Sequence, residues 1–235
     1  YFLRGIQMKR LLFSLLILTV VSPAPVNGEV QIVDTPASLV VHRYGAALSV
    51  SDSVLVIGQW EGAGGVHVYS LVDESWVFQA EISVPDTNQT LGWGERLAIS
   101  GNFIAIGAPS ENLGSQFGQG AVYLYHRGQD GWTFHTKLVL NNDGRADAFG
   151  SWVGLDGDYL IASASNTDNP GGENQGAAYI YHLIGETWEQ EAVLTVEDTE
   201  SNSYMTKVDI SGAFAVFSNH KKTIVKYKIK VMGIF

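Results

Sequence analysis

The feature that most constrains this chain is an internal repeat. Tyr69, Tyr125 and Tyr181 stand 56 residues apart, and so do Trp76, Trp132 and Trp188, each Trp seven residues after its Tyr. A chain built of copies folds as copies of one supersecondary unit, because one pattern of apolar and polar residues specifies one local structure. An aromatic–glycine pair opens each copy: Tyr44-Gly45, Trp93-Gly94 and Phe149-Gly150. A looser fourth copy opens at Tyr204-Met205. Eight residues after each opening comes a tight turn: Ser51-Asp52-Ser53, Ser100-Gly101-Asn102, Asp156-Gly157-Asp158 and Ser211-Gly212-Ala213.

Between these marks the pattern is that of strands. The first segment of each copy alternates with a period of two, at Leu48/Val50, Leu97/Ile99, Val153/Leu155 and Val208/Ile210. After the turn come short apolar runs at 54–57, 103–106, 159–162 and 214–217, suited to strands buried on both faces. A third strand runs over 66–69, 121–125, 177–181 and 223–227. The fourth begins at the Trp, and there Trp76, Phe78, Ala80, Ile82 and Val84 are expected to form one dry face. Four short strands per unit of about 50 residues predict a propeller blade, whose two faces can be buried only against its neighbours. Composition agrees: charged residues are 16% of the chain and glycines number 26, which suits a turn-rich β protein. There are no cysteines, so disulfides, thiol catalysis and thiolate metal sites are excluded. A net charge of −10 argues against nucleic acid as a partner.

The residues then point to a family. Phe149-Gly150, Gly107-Ala108-Pro109 and the run Gly120, Ala121, Val122, Tyr123, Leu124, Tyr125 resemble the FG-GAP repeat, which builds the β-propeller of integrin α-subunits and of many secreted proteins. The similarity covers Tyr44 to Tyr227. The copies depart from the pattern at Trp93-Gly94, at Ile57-Gly58-Gln59 and at Ala162-Ser163-Ala164, and the fourth keeps only the spacing. The resemblance implies an all-β propeller of four-stranded antiparallel blades, here at about 44–85, 93–142, 149–197 and 204–235. The pattern Val30, Ile32, Asp34 matches Leu194, Val196, Asp198, so residues 30–34 are expected to supply the end of the last blade's fourth strand. Two readings stand side by side: a four-bladed ring closed by that shared strand, or part of a larger propeller.

Residues 1–28 contain Arg4, Lys9 and Arg10 and no acid. Met8-Lys9-Arg10, the apolar run 11–21, then Pro23, Pro25 and Gly28 read as a signal peptide over 8–28, with residues 1–7 translated from upstream. The apolar run is too short for a comfortable membrane span. The expected location is secreted or extracellular (or periplasmic), after cleavage near Gly28. Asn88-Gln89-Thr90 is a glycosylation sequon, relevant in a eukaryotic host.

Chemistry is sparse. In the family some blades hold calcium in an acidic loop between their first two strands; the turns here are too short to supply six to eight oxygens, so no cofactor is expected. The segment with Asn141, Asp143 and Asp147 has partial EF-hand spacing, but Val139 sits at its first ligand position and Asx-turns explain it. Neither a nucleophile elbow nor a zinc-protease motif is present, and no catalytic residue is assigned. His126 and His182 share one repeat position and read as surface residues at a strand exit. Trp76, Trp132 and Trp188 read as packing between blades.

The longest connections join the second and third strands, over 108–119 and 164–175, and fall on one face of the ring. They carry Glu111, Asn112, Gln116, Asn166, Asp168, Asn169 and Glu173, and the matching connection of the first copy carries Trp60 and Glu61. Long loops on a rigid scaffold are where recognition concentrates. The expected function is a non-catalytic recognition or adhesion module for extracellular protein or glycan; the alternative is a propeller hydrolase or lyase acting on extracellular polysaccharide. Lys221, Lys222, Lys226, Lys228 and Lys230 make the last copy basic, either to blunt a sheet edge or to dock an acidic partner or a second copy of the chain.

Overall fold

A computed structural model describes residues 33, 44–59, 65–85, 92–114, 117–141, 146–168, 172–196, 202–220 and 225–228. The signal segment 8–28, the strand at 30–34 apart from Val33, and Trp60, Glu61, Asn88, Gln116, Asp143 and Asn169 lie outside them. The described residues contain strands and no helix. Blade 1 comprises β1 (Tyr44–Ser51), β2 (Val54–Gln59), β3 (Gly65–Val72) and β4 (Ser75–Ile82). Blade 2 comprises β5 (Arg96–Ser100), β6 (Phe103–Ala108), β7 (Ala121–Gly128) and β8 (Gly131–Leu138). Blade 3 comprises β9 (Phe149–Asp156), β10 (Tyr159–Ala164), β11 (Ala177–Ile184) and β12 (Thr187–Leu194). Among the described residues, blade 4 comprises β13 (Met205–Ser211), β14 (Phe214–Asn219) and β15 (Val225–Lys228). Each sheet is a simple antiparallel meander in sequence order.

The blades stack face to face, and the core is three apolar layers between consecutive blades. Val56, Val66 and Val68 of blade 1 pack on Ile104, Ile106 and Tyr123 of blade 2. Ala105, Val122 and Leu124 pack on Phe149, Leu160 and Ala162, and Ile161 and Ile180 pack on Val208 and Phe217. The middle strands alternate between the two neighbours, so both faces are apolar, as the runs in the sequence require. Burying one Val or Ile here contributes about 1.5–3 kcal/mol. Trp188 lies edge-on to Phe103 of the preceding blade, with ring centroids 5.4 Å apart, and Trp132 packs on the layer between blades 1 and 2.

Two features differ from expectation. The dry face expected on the fourth strand is split, because Val68 pairs with Ala80 while Tyr69 pairs with Phe78, leaving Gln79 as a bulge. The extra residue reverses the side on which the later side chains emerge. Phe78 therefore meets Tyr69 at 5.6 Å on one face, while Ala80 and Ile82 join the layer toward blade 2 on the other. The same irregularity falls between Leu124 and Tyr125 and between Ile180 and Tyr181. The fourth copy also opens one residue later than its spacing suggests. Met205, not Tyr204, holds the place of Phe149: Met205 pairs with Asn219 as Phe149 pairs with Ala164. Blade 4 reaches its regular ladder in one residue fewer, and Tyr204 takes the positive φ (39°) that Ala148 (55°) takes in blade 3.

A second set of contacts latches the turns. The last residue of each inner strand accepts from the turn glycine of the next blade: Ser51 Oγ from Gly101 N–H at 3.0 Å, Ser100 Oγ from Gly157 N–H at 2.9 Å, and Asp156 Oδ2 from Gly212 N–H at 2.5 Å. Among the described residues no apolar layer joins blade 4 to blade 1. The face of blade 1 equivalent to the buried ones leaves Leu48 64% and Val50 59% exposed, where Leu97 and Val153 are each 8% exposed.

Candidate functional site

The inner strands of all four blades surround one cavity of about 630 Å³. Each blade contributes the segment just after its opening residue. The position opposite the second-strand residue of Gly-Ala-Pro holds Ala47 (paired with Gly58), Arg96 (paired with Gly107) and Lys207 (paired with Ser218), and Trp152 stands there in blade 3. The repeat thus brings one position from every blade to the axis, and that position differs chemically in each copy. Leu48, Leu97, Val153 and Val216 make the walls apolar.

Arg96 joins blades 2 and 3. Its Nε donates to the carbonyl of Ser151 at 2.9 Å, its Nη1 donates to the carbonyl of Glu95 at 2.9 Å and lies 3.0 Å from the Glu95 carboxylate, and its Cζ lies 4.4 Å from the centre of the Trp152 ring. Lys207 Nζ of blade 4 lies 5.4 Å from the same ring. Two cations on one indole are attracted by its quadrupole and repel each other. Glu95, Arg96, Trp152 and Lys207 also line a second hollow of about 480 Å³, which opens toward the long loops and is completed by Pro109, Asn166, Tyr204 and His220. The two hollows share that set of four side chains at their junction.

Of the long-loop residues that the sequence singles out, some build their loops and Asn166 lines the hollow. Asn112 Oδ1 accepts from Gly118 N–H at 2.9 Å, and Asp168 Oδ1, one repeat later, accepts from Asn174 N–H at 2.8 Å. Both side chains fold their own loop back on itself, as Asn and Asp do in turns. Glu111 points inward and is 3% exposed; it accepts from Tyr123 Oη at 2.8 Å and pairs with Lys137, and its Oε2 has no hydrogen-bond partner. Its carbonyl accepts from Gly120 N–H at 3.0 Å, and Thr167 repeats that role with Gly176 at 2.9 Å. The Glu173 carbonyl accepts from Asn202 N–H at 2.8 Å and ties blade 3's loop to the entry of blade 4. Asn166 lines the hollow, with its Nδ2 donating to the Ala146 carbonyl at 3.0 Å.

Of the candidate metal ligands, Asn141 is exposed and Asp147 is 2% exposed, and the described residues form no group of three or more metal-ligating side chains. His126 lies against Phe103 with ring centroids 4.8 Å apart, and His182 stacks on Tyr159 at 4.3 Å, at matching sites of blades 2 and 3. His67 is one of the histidines that the spacing argument passed over. It occupies the repeat position of Tyr123 and Tyr179, is fully buried, contacts Gln59 Oε1 at 3.4 Å, and is held below the usual histidine range by burial, with Glu81 opposing in part. Burial likewise pushes the Tyr125 phenol up to about 12.

Sequence reasoning did not find Arg96, Trp152 and Lys207. A partial signal was present: next to the apolar residues Leu48, Leu97, Val153 and Val208, theirs is one of the positions that change from copy to copy.

Against known proteins, the FG-GAP repeat family matches residues 76–125 and 132–181. The chain carries FG-GAP repeats there. Each match runs from the fourth strand of one blade to the third strand of the next, so the sequence repeat is offset by one strand from the blade. No curated protein matches the chain. Among solved structures, the computationally designed Ika4 protein aligns at 14% identity with a TM-score of 0.49, over 82% of this chain and 96% of that one. The computationally designed Ika8 protein aligns at 13% identity with a TM-score of 0.38, over 79% of this chain and 58% of that one.

Proposed function

We propose that this chain, with its FG-GAP repeats in propeller blades, is a secreted, non-catalytic recognition module that binds extracellular protein or glycan on the long-loop face, at the mouth of the axial cavity. One observation carries the reading: Arg96, Trp152 and Lys207, from three successive blades, meet where the cavity joins the loop-lined hollow. A pocket with apolar walls and a few convergent polar groups at its mouth is a site built to bind. In the described parts of the loops around it, Asn112 and Asp168 fold the backbone back on itself, which lowers the ordering cost that falls on a ligand. The basic start and apolar run of the segment 8–28, read as a signal peptide, support export.

The test is a glycan and peptide screen with the secreted chain, repeated with Trp152→Ala and Asn166→Ala. Hits that weaken about tenfold or more in either variant support the reading. A screen without hits, or with hits that neither variant changes, sinks it.

A further inference from the structure

We infer that the axial cavity takes a carboxylate carried on an apolar body, with the acid group between Arg96 and Lys207 and the body against the apolar walls. This rests on the recognition reading above and names the ligand class of the same site. The argument begins with charge. Glu95 is spent on Arg96 at 3.0 Å, and Asp209 Oδ1 accepts from the Ile210 amide at 2.9 Å. Lys207 has no ion-pair partner among the described residues, although it shares the Trp152 ring with a second cation. An anion beside Lys207 gives that cation the partner that Glu95 gives Arg96. Within a protein of net charge −10 the charges of this lining balance, Glu95 and Asp209 against Arg96 and Lys207, and Lys207 is the cation left to a ligand.

The walls supply the other half. Leu48, Leu97, Val153 and Val216 come from four different blades, and Leu48 is 64% exposed. An apolar group seated beside Leu48 removes from water a surface that the fold leaves wet. About 630 Å³ accommodates a side-chain-sized body with its acid group. Two sources carry this chemistry: a free amphipathic acid, or the C-terminal carboxylate of a peptide ending in an apolar residue.

Titration calorimetry distinguishes the sources and tests the class. The probes are 3-phenylpropionate, the uncharged 3-phenylpropanol, and a pentapeptide ending in leucine as its free acid and as its amide. Binding of at least one acid, about tenfold tighter than its neutral counterpart and about tenfold weaker in Lys207→Met, supports the inference. Lys207→Arg should restore it. Lys207 is exposed, so these variants keep the fold, checked by an unchanged unfolding midpoint. Binding by phenylpropionate alone assigns a free acid, and binding by the peptide acid assigns a protein terminus. Equal affinity for acid and neutral probe, affinity unchanged in Lys207→Met, or no binding by either acid up to about 10 mM overturns the ligand class. In each of those cases the glycan and peptide screen decides separately whether the recognition reading stands.

Discussion

Gly107 of β6 and Gly150 of β9 are in backbone contact across the boundary between blades 2 and 3: a Cβ built on Gly107 would overlap the Gly150 carbonyl oxygen. Gly58 and Gly94 repeat the relationship between blades 1 and 2. The glycine of Gly-Ala-Pro and the glycine of Phe-Gly are therefore the two halves of one contact, drawn from successive copies. Gly107→Ala should destabilise the chain by about 1–3 kcal/mol through overpacking against rigid backbone. Gly150→Ala should cost more, because its φ of 87° adds about 1–2 kcal/mol and its Cβ would lie 2.5 Å from the Ala121 carbonyl oxygen. Urea denaturation of both, with Gly128→Ala as the control, where a Cβ meets nothing closer than 3.9 Å, checks the order; equal midpoints for all three would contradict it.

The inward turn of Glu111 predicts an asymmetric response to mutation. Lys137→Met leaves a carboxylate buried beside Tyr123 and should cost about 2–3 kcal/mol, below the cost for a fully enclosed pair because the Lys137 side chain is 28% exposed. Adding Glu111→Gln should recover most of the loss. A double-mutant cycle on unfolding free energies measures it, and purely additive losses would refute the coupling.

His67 sets an acid limit on stability. Its pKa is lowered in the folded state, so the unfolded chain binds the proton more readily and unfolding is favoured as pH falls. The contribution is present above about pH 6.5 and is lost as the pH falls through the folded pKa, at up to about 1.4 kcal/mol per pH unit. His67→Tyr, the residue type of the two equivalent positions, should flatten the dependence of Tm on pH below about 6.5. An unchanged slope in that variant would place the acid sensitivity elsewhere.

Asn112 and Asp168 should act locally. Asn112→Ala and Asp168→Ala each remove an acceptor from a loop amide, at about 1 kcal/mol. Hydrogen exchange should quicken at Gly118 or Asn174 and stay unchanged in β6 and β10. Exchange that quickens evenly across a blade would mean that these side chains hold more than the loop.

Much of the fold is legible before any coordinates. Tyr69, Tyr125 and Tyr181 mark the same third strand in each blade, and the turns at Asp52, Gly101, Gly157 and Gly212 fall where the spacing puts them. These are local matters, set by alternation and by turn chemistry within a few residues. The bulge at Gln79 was not legible, because a bulge is a relation between two strands and leaves each strand's own composition unaltered. The start of blade 4 was misplaced by one residue for a similar reason: an aromatic at Tyr204 imitates the opening residue, and only the pairing of Met205 with Asn219 places it.

The site follows the same division. The loops that carry Asn112, Asn166 and Asp168 could be named from their length, but the folded chain decided that Asn166 lines the hollow while Asn112 and Asp168 close on backbone six residues away. By itself the sequence determined the unit, its number of visible copies, the strands and the glycines that let blades touch. Only the tertiary structure decided which repeat position faces the axis. Arg96 and the Ser151 carbonyl are 55 residues apart, and Trp152 and Lys207 belong to different blades. No pattern within one copy encodes such a meeting, because it arises from stacking rigid sheets around a common centre.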